Sequence, residues 1–249
     1  MENKTTISWY GRCCFIVEID NKKVLFDPYD MFCNVDVGFI DSDILLSSST
    51  WHDHGHIGAS PESWIYTYPG EYENLGIKIT GIESKEDRGS PNVIFNIQYQ
   101  GFSITNFADF GPTQEKYFDK NSTKSEKDVL ESTNIAFVRA MIERDNLGEN
   151  NVHNENFLKY CSPNIVIPGH YHPRDFINKQ IPEDLREKFE PANILVDELP
   201  GSIDYLLEEI DDYQMDISDD FTHKKTIYRF MKVHPQVKYR KDFELKMRW

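Results

Sequence analysis

Three histidines fall at alternate positions in Trp51-His52-Asp53-His54-Gly55-His56-Ile57-Gly58, with a carboxylate among them. Neutral imidazole nitrogens and carboxylate oxygens are both ordinary ligands of zinc and other first-row divalent ions. The residue types therefore point to metal binding and to water activated by a metal. The alternative is a polar surface loop whose histidines bind nothing. Position favours the metal: the cluster follows an apolar run, Asp43-Ile-Leu-Leu46, and a polar one, Ser47-Ser-Ser-Thr50. Strand ends are where α/β sheets present ligands and catalytic groups. The pattern recurs at Asp109, after the apolar run that begins at Phe102, and at His170 and His172, after Asn164-Ile-Val-Ile-Pro168. Groups at several strand ends can converge on one edge of a sheet or sandwich. A carboxylate and four or more histidines there would suit one or two divalent ions, and a two-metal site attacks a carbonyl or phosphoryl group with a bridging hydroxide.

The elements that must position these groups can be read from period-two alternation and turn residues. Strands over 6–10, 13–19 and 23–26, joined by Gly11-Arg12 and Asp20-Asn21, predict an antiparallel meander. A fourth strand, 43–46, delivers the histidine cluster, and strands over 75–80, 92–99 and 102–105 follow. The polar segment 119–132 reads as an exposed loop or helix start. Segment 134–142 reads as a buried strand running into a helix, 154–160 as a short helix and 164–168 as a strand. A charged surface helix over 182–189 and a last strand over 192–196 complete a domain spanning 1–201. Residues 202–249, acidic and then basic, read as an extension packed on that domain, with 226–233 as a strand. The other reading of the extension is a self-association surface that would make a homo-oligomer.

Composition bounds the function. With 39% hydrophobic residues, 16 Phe and 13 Tyr, the chain can bury a sizeable core. A net charge of −15 repels polyanions on average, which disfavours nucleic-acid binding. No apolar run approaches the roughly 20 residues of a membrane-spanning helix, and no apolar signal core opens the sequence. Four cysteines without CxxC spacing read as reduced thiols of a cytoplasmic protein. Adjacent Cys13 and Cys14 read as a small buried strand pair rather than as a disulfide or a ligand site.

The ordered set of segments resembles the metallo-β-lactamase superfamily, closest to its L-ascorbate-6-phosphate lactonase-like branch. The matching pieces are Ser8-Trp-Tyr-Gly11 with Phe15, Val24-Leu-Phe-Asp27-Pro28, Asp43-Ile-Leu-Leu46 with the histidine cluster, and Gly76-Ile-Lys-Ile-Thr80. They continue with Phe107-Ala-Asp109-Phe-Gly111, Ile165-Val-Ile-Pro-Gly-His170-Tyr171, and Val196 through Gly201. The resemblance implies an α+β fold, a four-layer αββα sandwich with the metal site at the edge between its two sheets. It places Asp109 where that family has its metal-bridging Asp, and His170 where it has its last His.

The family's first metal motif is His-x-His-x-Asp-His, and here it is altered. One register sets the motif on His52, His54 and His56 without the Asp. The other sets Asp53-His54 on the final Asp-His, leaving Ser49 and Trp51 where two histidines belong. The next family histidine, expected just after Ile82, is replaced by Glu83-Ser84-Lys85. The resulting expectation is a single ion, zinc with manganese or iron as alternatives, held by His54, Asp109 and His170. His52 and His56 are further ligand candidates, Asp53 is a fourth ligand or catalytic group, and His172 is a catalytic proton donor. The expected activity is hydrolysis of a small-molecule ester, lactone or phosphodiester by a metal-bound hydroxide. The alternative is a degenerate, non-catalytic binding or scaffold protein on the same fold.

Overall fold

The computed structural model describes residues 5–30, 33, 35–86, 89–110, 115–139, 142–144, 150–152, 156–171, 174–184, 186, 205–217 and 226–240. Its strands, in chain order, are β1 (Thr5–Trp9), β2 (Phe15–Ile19), β3 (Lys22–Phe26), β4 (Val35–Asp36), β5 (Ile44–Leu46), β6 (Trp64–Tyr66), β7 (Gly70–Asn74), β8 (Ile77–Lys85) and β9 (Pro91–Tyr99). After these come β10 (Phe102–Asn106), β11 (Ile135–Arg139), β12 (Ile142–Arg144), β13 (Asn150–Val152), β14 (Ile165–Gly169), β15 (Tyr205–Ile210), β16 (Gln214–Ile217), β17 (Thr226–Met231) and β18 (Lys238–Tyr239). The helices are α1 (Glu115–Asn121), α2 (Lys124–Glu131) and α3 (Arg174–Gln180).

Two sheets face each other. One has the order β16-β1-β2-β3-β5-β6 and the other β15-β17-β14-β11-β10-β9-β8-β7. The expected meander β1–β2–β3 is antiparallel, after which β3, β5 and β6 run parallel. In the larger sheet β7 to β10 are antiparallel, and β10, β11, β14 and β17 are parallel. Side chains alternate across a strand, and the sequence alternates with them. Ile7, Trp9, Phe15, Val17, Val24, Phe26, Ile44 and Leu46 turn inward to meet Ile79, Phe95, Ile97, Ile104, Phe137 and Ile167 between the sheets. The residues between them face outward. Cys14, Ile16, Leu25 and Leu45 pack under Phe176 and Ile177 of α3, while Ile82, Ile94, Ala136 and Val166 pack under Phe118 of α1 and Leu130 of α2. Three apolar layers separated by two sheets make the αββα sandwich of an α+β fold.

Some elements match expectation and others differ. Of the two readings of the polar stretch 119–132, the helical one holds, with the end of α1 and all of α2 in it: Thr123 caps α2, its side chain bound by the Glu126 N–H and its own N–H bound to the Glu126 carboxylate. That pair is a capping box. β11 is followed by another strand, β12, rather than by a helix, and 156–159 form a 3-10 turn. The strand expected over 75–80 runs to Lys85. The strand expected over 192–196 lies outside the described residues, as does 182–189 except 182–184 and 186.

The boundary expected at residue 201 divides hydrogen-bonded sheets. β15 and β17 extend the larger sheet beyond β14, and β16 pairs with β1 at the edge of the smaller one. β18 pairs with β4, and the His234 N–H donates to the Trp9 carbonyl at 2.8 Å. The described part of 202–249 is thus woven into both sheets.

Candidate metal centre

β1, β3 and β5 share one direction in their sheet, and β10, β11 and β14 share one in theirs, so the carboxyl ends of each set open on one edge. The residues that follow those ends converge. Asp27 follows β3, the 47–55 segment follows β5, Asp109 follows β10, Arg139 ends β11 and His170 follows β14. The β1–β2 turn adds Arg12 and Cys13.

His54 is fully buried. The path to it from β5 is a tight turn, in which the N–H groups of His54 and Gly55 both donate to the Trp51 carbonyl, at 3.0 and 2.7 Å. Residue 55 must be glycine, because a Cβ there would sit 2.9 Å from both the Thr50 carbonyl carbon and the Trp51 oxygen. Ser47 ties the turn from below, donating to the carbonyls of Ser49 and His54 at 2.9 and 3.1 Å. The ring is then oriented by Asp27, whose Oδ2 lies 3.2 Å from His54 Nδ1. Asp27 is itself fixed by the Ser48 N–H and by Asn106 Nδ2, each donating at 2.7 Å. Asn106 also accepts the Ala108 N–H at 3.1 Å, which shapes the turn presenting Asp109. One buried network therefore sets both His54 and Asp109.

His54 Nε2 faces Asp109 Oδ2 at 3.3 Å, and His170 Nε2 faces Asp109 Oδ1 at 3.5 Å. Donor atoms of Cys13, His54, Asp109 and His170 all lie within 4.8 Å of one another. His170 has φ +66°, an uncommon conformation for a residue with a Cβ. It is held there by its N–H donating to the Arg12 carbonyl at 2.7 Å. Asp53 sits beside the group, with Oδ2 3.2 Å from His170 Nε2 and 3.0 Å from the Arg12 guanidinium. Arg139 Nε lies 3.7 Å from Asp109 Oδ1.

The charges reinforce one another. Burial would raise the pKa of Asp109, but His170, His54 and Arg139 outweigh it and hold the carboxyl well below the usual range. Asp53 behaves alike, with burial opposed by His170, His54 and Arg12. Burial also opposes a charge on His54, yet Cys13, Asp109 and Asp27 raise its pKa. Burial pushes the Cys13 thiol up to about 12, so at neutral pH it is uncharged and the two carboxylates carry the effect on His54. Burial lowers the pKa of His170.

Two donor atoms at the centre of the group, His54 Nε2 and Asp109 Oδ1, are buried without a hydrogen-bond partner. Leaving such atoms unsatisfied costs about 1–3 kcal/mol each. A divalent cation satisfies both, and imidazole, carboxylate and thiol are the donor types that zinc takes. The residues present fit a metal ion.

The structure brings together three of the five expected ligands. His54, Asp109 and His170 meet, as the resemblance implies, while His52 and His56 are not in the group. The His52 ring is half exposed and turned to Asp30, with Nδ1 2.8 Å from its carboxylate. His56 precedes the 3-10 turn Ile57–Ala59, its N–H spent on the Pro28 carbonyl at 2.8 Å. The reason is the turn at Trp51: it points His54 inward, and its neighbours two residues away on either side are directed elsewhere. That placement is the one expected of the register in which Asp53-His54 is the motif's last pair. Ser49 stands in a lost histidine's place and donates to Glu86 Oε1 at 3.0 Å, and Trp51 is exposed. Glu83 is exposed and bound by the Tyr117 hydroxyl at 2.5 Å. His172 lies outside the described residues. Tyr171 is buried against Trp9, ring centres 4.7 Å apart.

Four residues of this edge were not singled out by sequence reasoning. Its neighbour makes Cys13 look like half of a buried pair, but only Cys14 fits that description, in the outer apolar layer. Arg12 looks like an ordinary turn residue. Asp27 and Arg139 each close an apolar strand run, the same signal that marks Asp109 and His170.

No curated protein matches the chain. Among solved structures, it is similar to a protein of Thermotoga maritima put forward as a zinc-dependent hydrolase of the metallo-β-lactamase superfamily. The identity is 18% and the TM-score 0.56, over 92% of this chain and 100% of that one. A protein of Parabacteroides distasonis put forward as a metal-dependent hydrolase aligns at 15% identity and TM-score 0.47, over 68% of this chain and 83% of that one. A metallo-β-lactamase fold protein of Bacillus subtilis aligns at 10% identity and TM-score 0.48, over 68% and 86%. The Thermotoga structure shares the fold. Residues 6–130 match the family model described as the beta-lactamase superfamily domain, a span that holds the meander, the His54 turn and Asp109, and the chain belongs to that family.

Proposed function

We propose that the protein is a metal-dependent hydrolase of a small ester, lactone or phosphodiester, built around a single ion held by His54, Asp109 and His170. The observation that carries this reading is a pair of buried atoms without a hydrogen-bond partner, His54 Nε2 and Asp109 Oδ1, the first 3.3 Å from the other Asp109 oxygen and the second 3.5 Å from His170 Nε2. A zinc ion held there would lower the pKa of bound water to about 7, supplying a nucleophile at neutral pH. Manganese or iron would be the alternatives.

The surrounding residues have separable tasks. Asp27 holds Nδ1 of His54 and so directs Nε2 to the centre. Asp53 is a positioning residue: with its pKa held below the usual carboxylate range by His170, His54 and Arg12, it is a poor proton acceptor at neutral pH. It steadies His170 instead. Arg12 beside Asp53 and Arg139 beside the ligand Asp109 place two guanidinium groups at the centre, where they would stabilise anionic charge developing on a carbonyl or phosphoryl oxygen. His172, two residues after His170, is the proposed proton donor to the leaving group. An acyl or phosphate ester of a small molecule is the substrate class that the lactonase-like resemblance suggests.

The second reading is a non-catalytic binding protein on the same fold. It is favoured by the pairing of Arg12 with Asp53 and the approach of Arg139 to Asp109, which partly neutralise the carboxylates without an ion. Metal analysis of protein purified without chelator separates the two. The hydrolase reading expects close to one equivalent of zinc, iron or manganese. It expects Asp109→Ala to lose both the metal and any esterase or phosphodiesterase activity while keeping its circular dichroism, because the three core layers are apolar. Wild-type protein that takes up no metal on supplementation and turns over none of these substrates would establish the binding protein instead.

A further inference from the structure

Cys13 is placed differently from every other cysteine of the chain. Cys14 and Cys161 belong to the outer apolar layers, and Cys33 packs against one of them. Cys13 is equally buried but belongs to none of the three apolar layers. Its Sγ instead lies within 4.8 Å of donor atoms of His54, Asp109 and His170. The β1–β2 turn that carries it is tied down by hydrogen bonds. The Cys14 N–H donates to the Gly11 carbonyl at 3.0 Å, and the Arg12 carbonyl accepts from Trp9 Nε1 at 2.9 Å and from the His170 N–H at 2.7 Å. Cys13 is thus locked to the loop that presents His170, one of the residues it faces.

The carboxylate that the altered motif would offer as a ligand is engaged elsewhere. Asp53 Oδ2 takes the Arg12 guanidinium at 3.0 Å and faces His170 Nε2 at 3.2 Å. Ligands bound to one zinc at about 2.0–2.3 Å with tetrahedral angles lie roughly 3.3–3.6 Å apart. The Cys13, His54, Asp109 and His170 donors approach that spacing after a contraction of about 1 Å, smaller than an ordinary rotamer adjustment. Two of the four, His54 Nε2 and Asp109 Oδ1, are the buried atoms without a hydrogen-bond partner.

We propose that Cys13 is the fourth protein ligand of the centre, so that the ion is held by one thiolate, two imidazoles and one carboxylate. This rests on the proposed metal-binding reading and adds a ligand to it. On binding, a metal–sulfur bond forms and the thiol proton leaves to solvent, so metal uptake releases a proton from Cys13. A thiolate selects softer ions, favouring zinc, cobalt or ferrous iron over manganese. With four protein donors, a water or substrate oxygen would have to join as a fifth ligand, a coordination number that zinc can reach.

Cobalt(II) reports the thiolate directly. Wild-type apoprotein titrated with cobalt should develop visible d–d bands and, with the same stoichiometry, a near-ultraviolet sulfur-to-cobalt charge-transfer band. Cys13→Ser should lose the charge-transfer band, keep the visible bands and bind cobalt at least about tenfold more weakly. Cys14→Ser should keep both. X-ray absorption of the wild-type zinc form, which needs no variant, should show one sulfur at about 2.3 Å among nitrogen and oxygen neighbours. Visible bands without a charge-transfer band, or a zinc shell without sulfur, would overturn the thiolate ligand and leave the His54–Asp109–His170 site standing. A charge-transfer band that survives in Cys13→Ser would also overturn it. No uptake of cobalt or zinc by the wild type would overturn both.

Discussion

The His54 ring can present Nε2 to Asp109 only while something holds its other nitrogen, and the Asp27 carboxylate and the Ser48 hydroxyl both do so from 3.2 Å. Asp27 also accepts from Ser48 and Asn106, so its charge is fully engaged in a buried site. Asp27→Asn keeps the size of the side chain but replaces one acceptor oxygen with a donor and removes the charge. Partners behind a metal-binding histidine are typically worth 10–100-fold in metal affinity. We expect a loss of about that size in a zinc competition titration, with all proposed ligands still present. Unchanged affinity would show that Asp27 is a structural brace only. At this scale the sequence was informative where a chemically marked residue follows an apolar run, as with His54, Asp109 and His170. It was silent where the residue type has an ordinary explanation: a cysteine beside another cysteine, an arginine in a turn, an aspartate before a proline. His52 and His56 misled because alternate spacing looks like a shared face, whereas a turn, not a strand, carries them.

Two of the elements that carry the site meet in a close approach. A Cβ on Gly169 would lie 2.6 Å from the Arg12 carbonyl oxygen and 3.0 Å from the Phe15 ring, so the end of β14 and the β1–β2 turn touch backbone to backbone. That carbonyl also receives the His170 N–H. Gly169→Ala must therefore push the turn away from His170, at an overpacking cost of about 1–3 kcal/mol, and carry Cys13 and Arg12 off the centre. A comparison variant, Gly101→Ala, meets no atom within 4 Å and suffers only from its φ of +85°, a strain of about 1–2 kcal/mol. Both variants should melt earlier than wild type in a thermal scan. Only Gly169→Ala should also lose metal affinity. Equal metal binding in the two would mean that the turn does not position the centre. The strands of the meander were legible from their two-residue period and their Asn, Asp and Gly turns. β7 was not, because Gly70-Glu-Tyr-Glu-Asn74 alternates glutamate with aromatic and polar residues instead of aliphatic ones. The helices α1 and α2 pack on the larger sheet chiefly through Phe118 and Leu130, which left 119–132 readable as either an exposed loop or a helix start.

For the whole molecule, composition indicated a chain able to bury a large core, and the described residues contain no helix long and apolar enough to cross a membrane. Composition did not reveal that the strands described after residue 201 contribute to that core. The acidic run around Asp204–Asp220 suggests an extension packed on the domain, not a part of its sheets, because its charges outnumber its apolar residues, yet an edge strand needs only one buried face. β16 buries Met215 and Ile217 against β1, and β17 buries Ile227, Tyr228 and Met231 beside β14. Beyond the sheets, the His234 ring stacks on Tyr10 with centres 4.2 Å apart, and Gln236 donates to the carbonyls of Val37 and Phe39 at 2.6 and 2.7 Å. With Val237, these are six fully packed apolar side chains: Met215, Ile217, Ile227, Tyr228, Met231 and Val237. At about 1.5–3 kcal/mol each, their removal takes away on the order of 10 kcal/mol, comparable with the entire 5–15 kcal/mol stability of an ordinary domain. It also strips both sheets of an edge and exposes β1 and β14 to non-native pairing. A fragment ending at residue 201 should therefore not fold. It should give random-coil or aggregated material by circular dichroism and size-exclusion chromatography, with no cooperative thermal transition, and zinc should not rescue it. The full chain should melt in one cooperative transition. A soluble, monodisperse 1–201 fragment that melts cooperatively and takes up zinc would show instead that the C-terminal strands are an accessory to a self-sufficient sandwich.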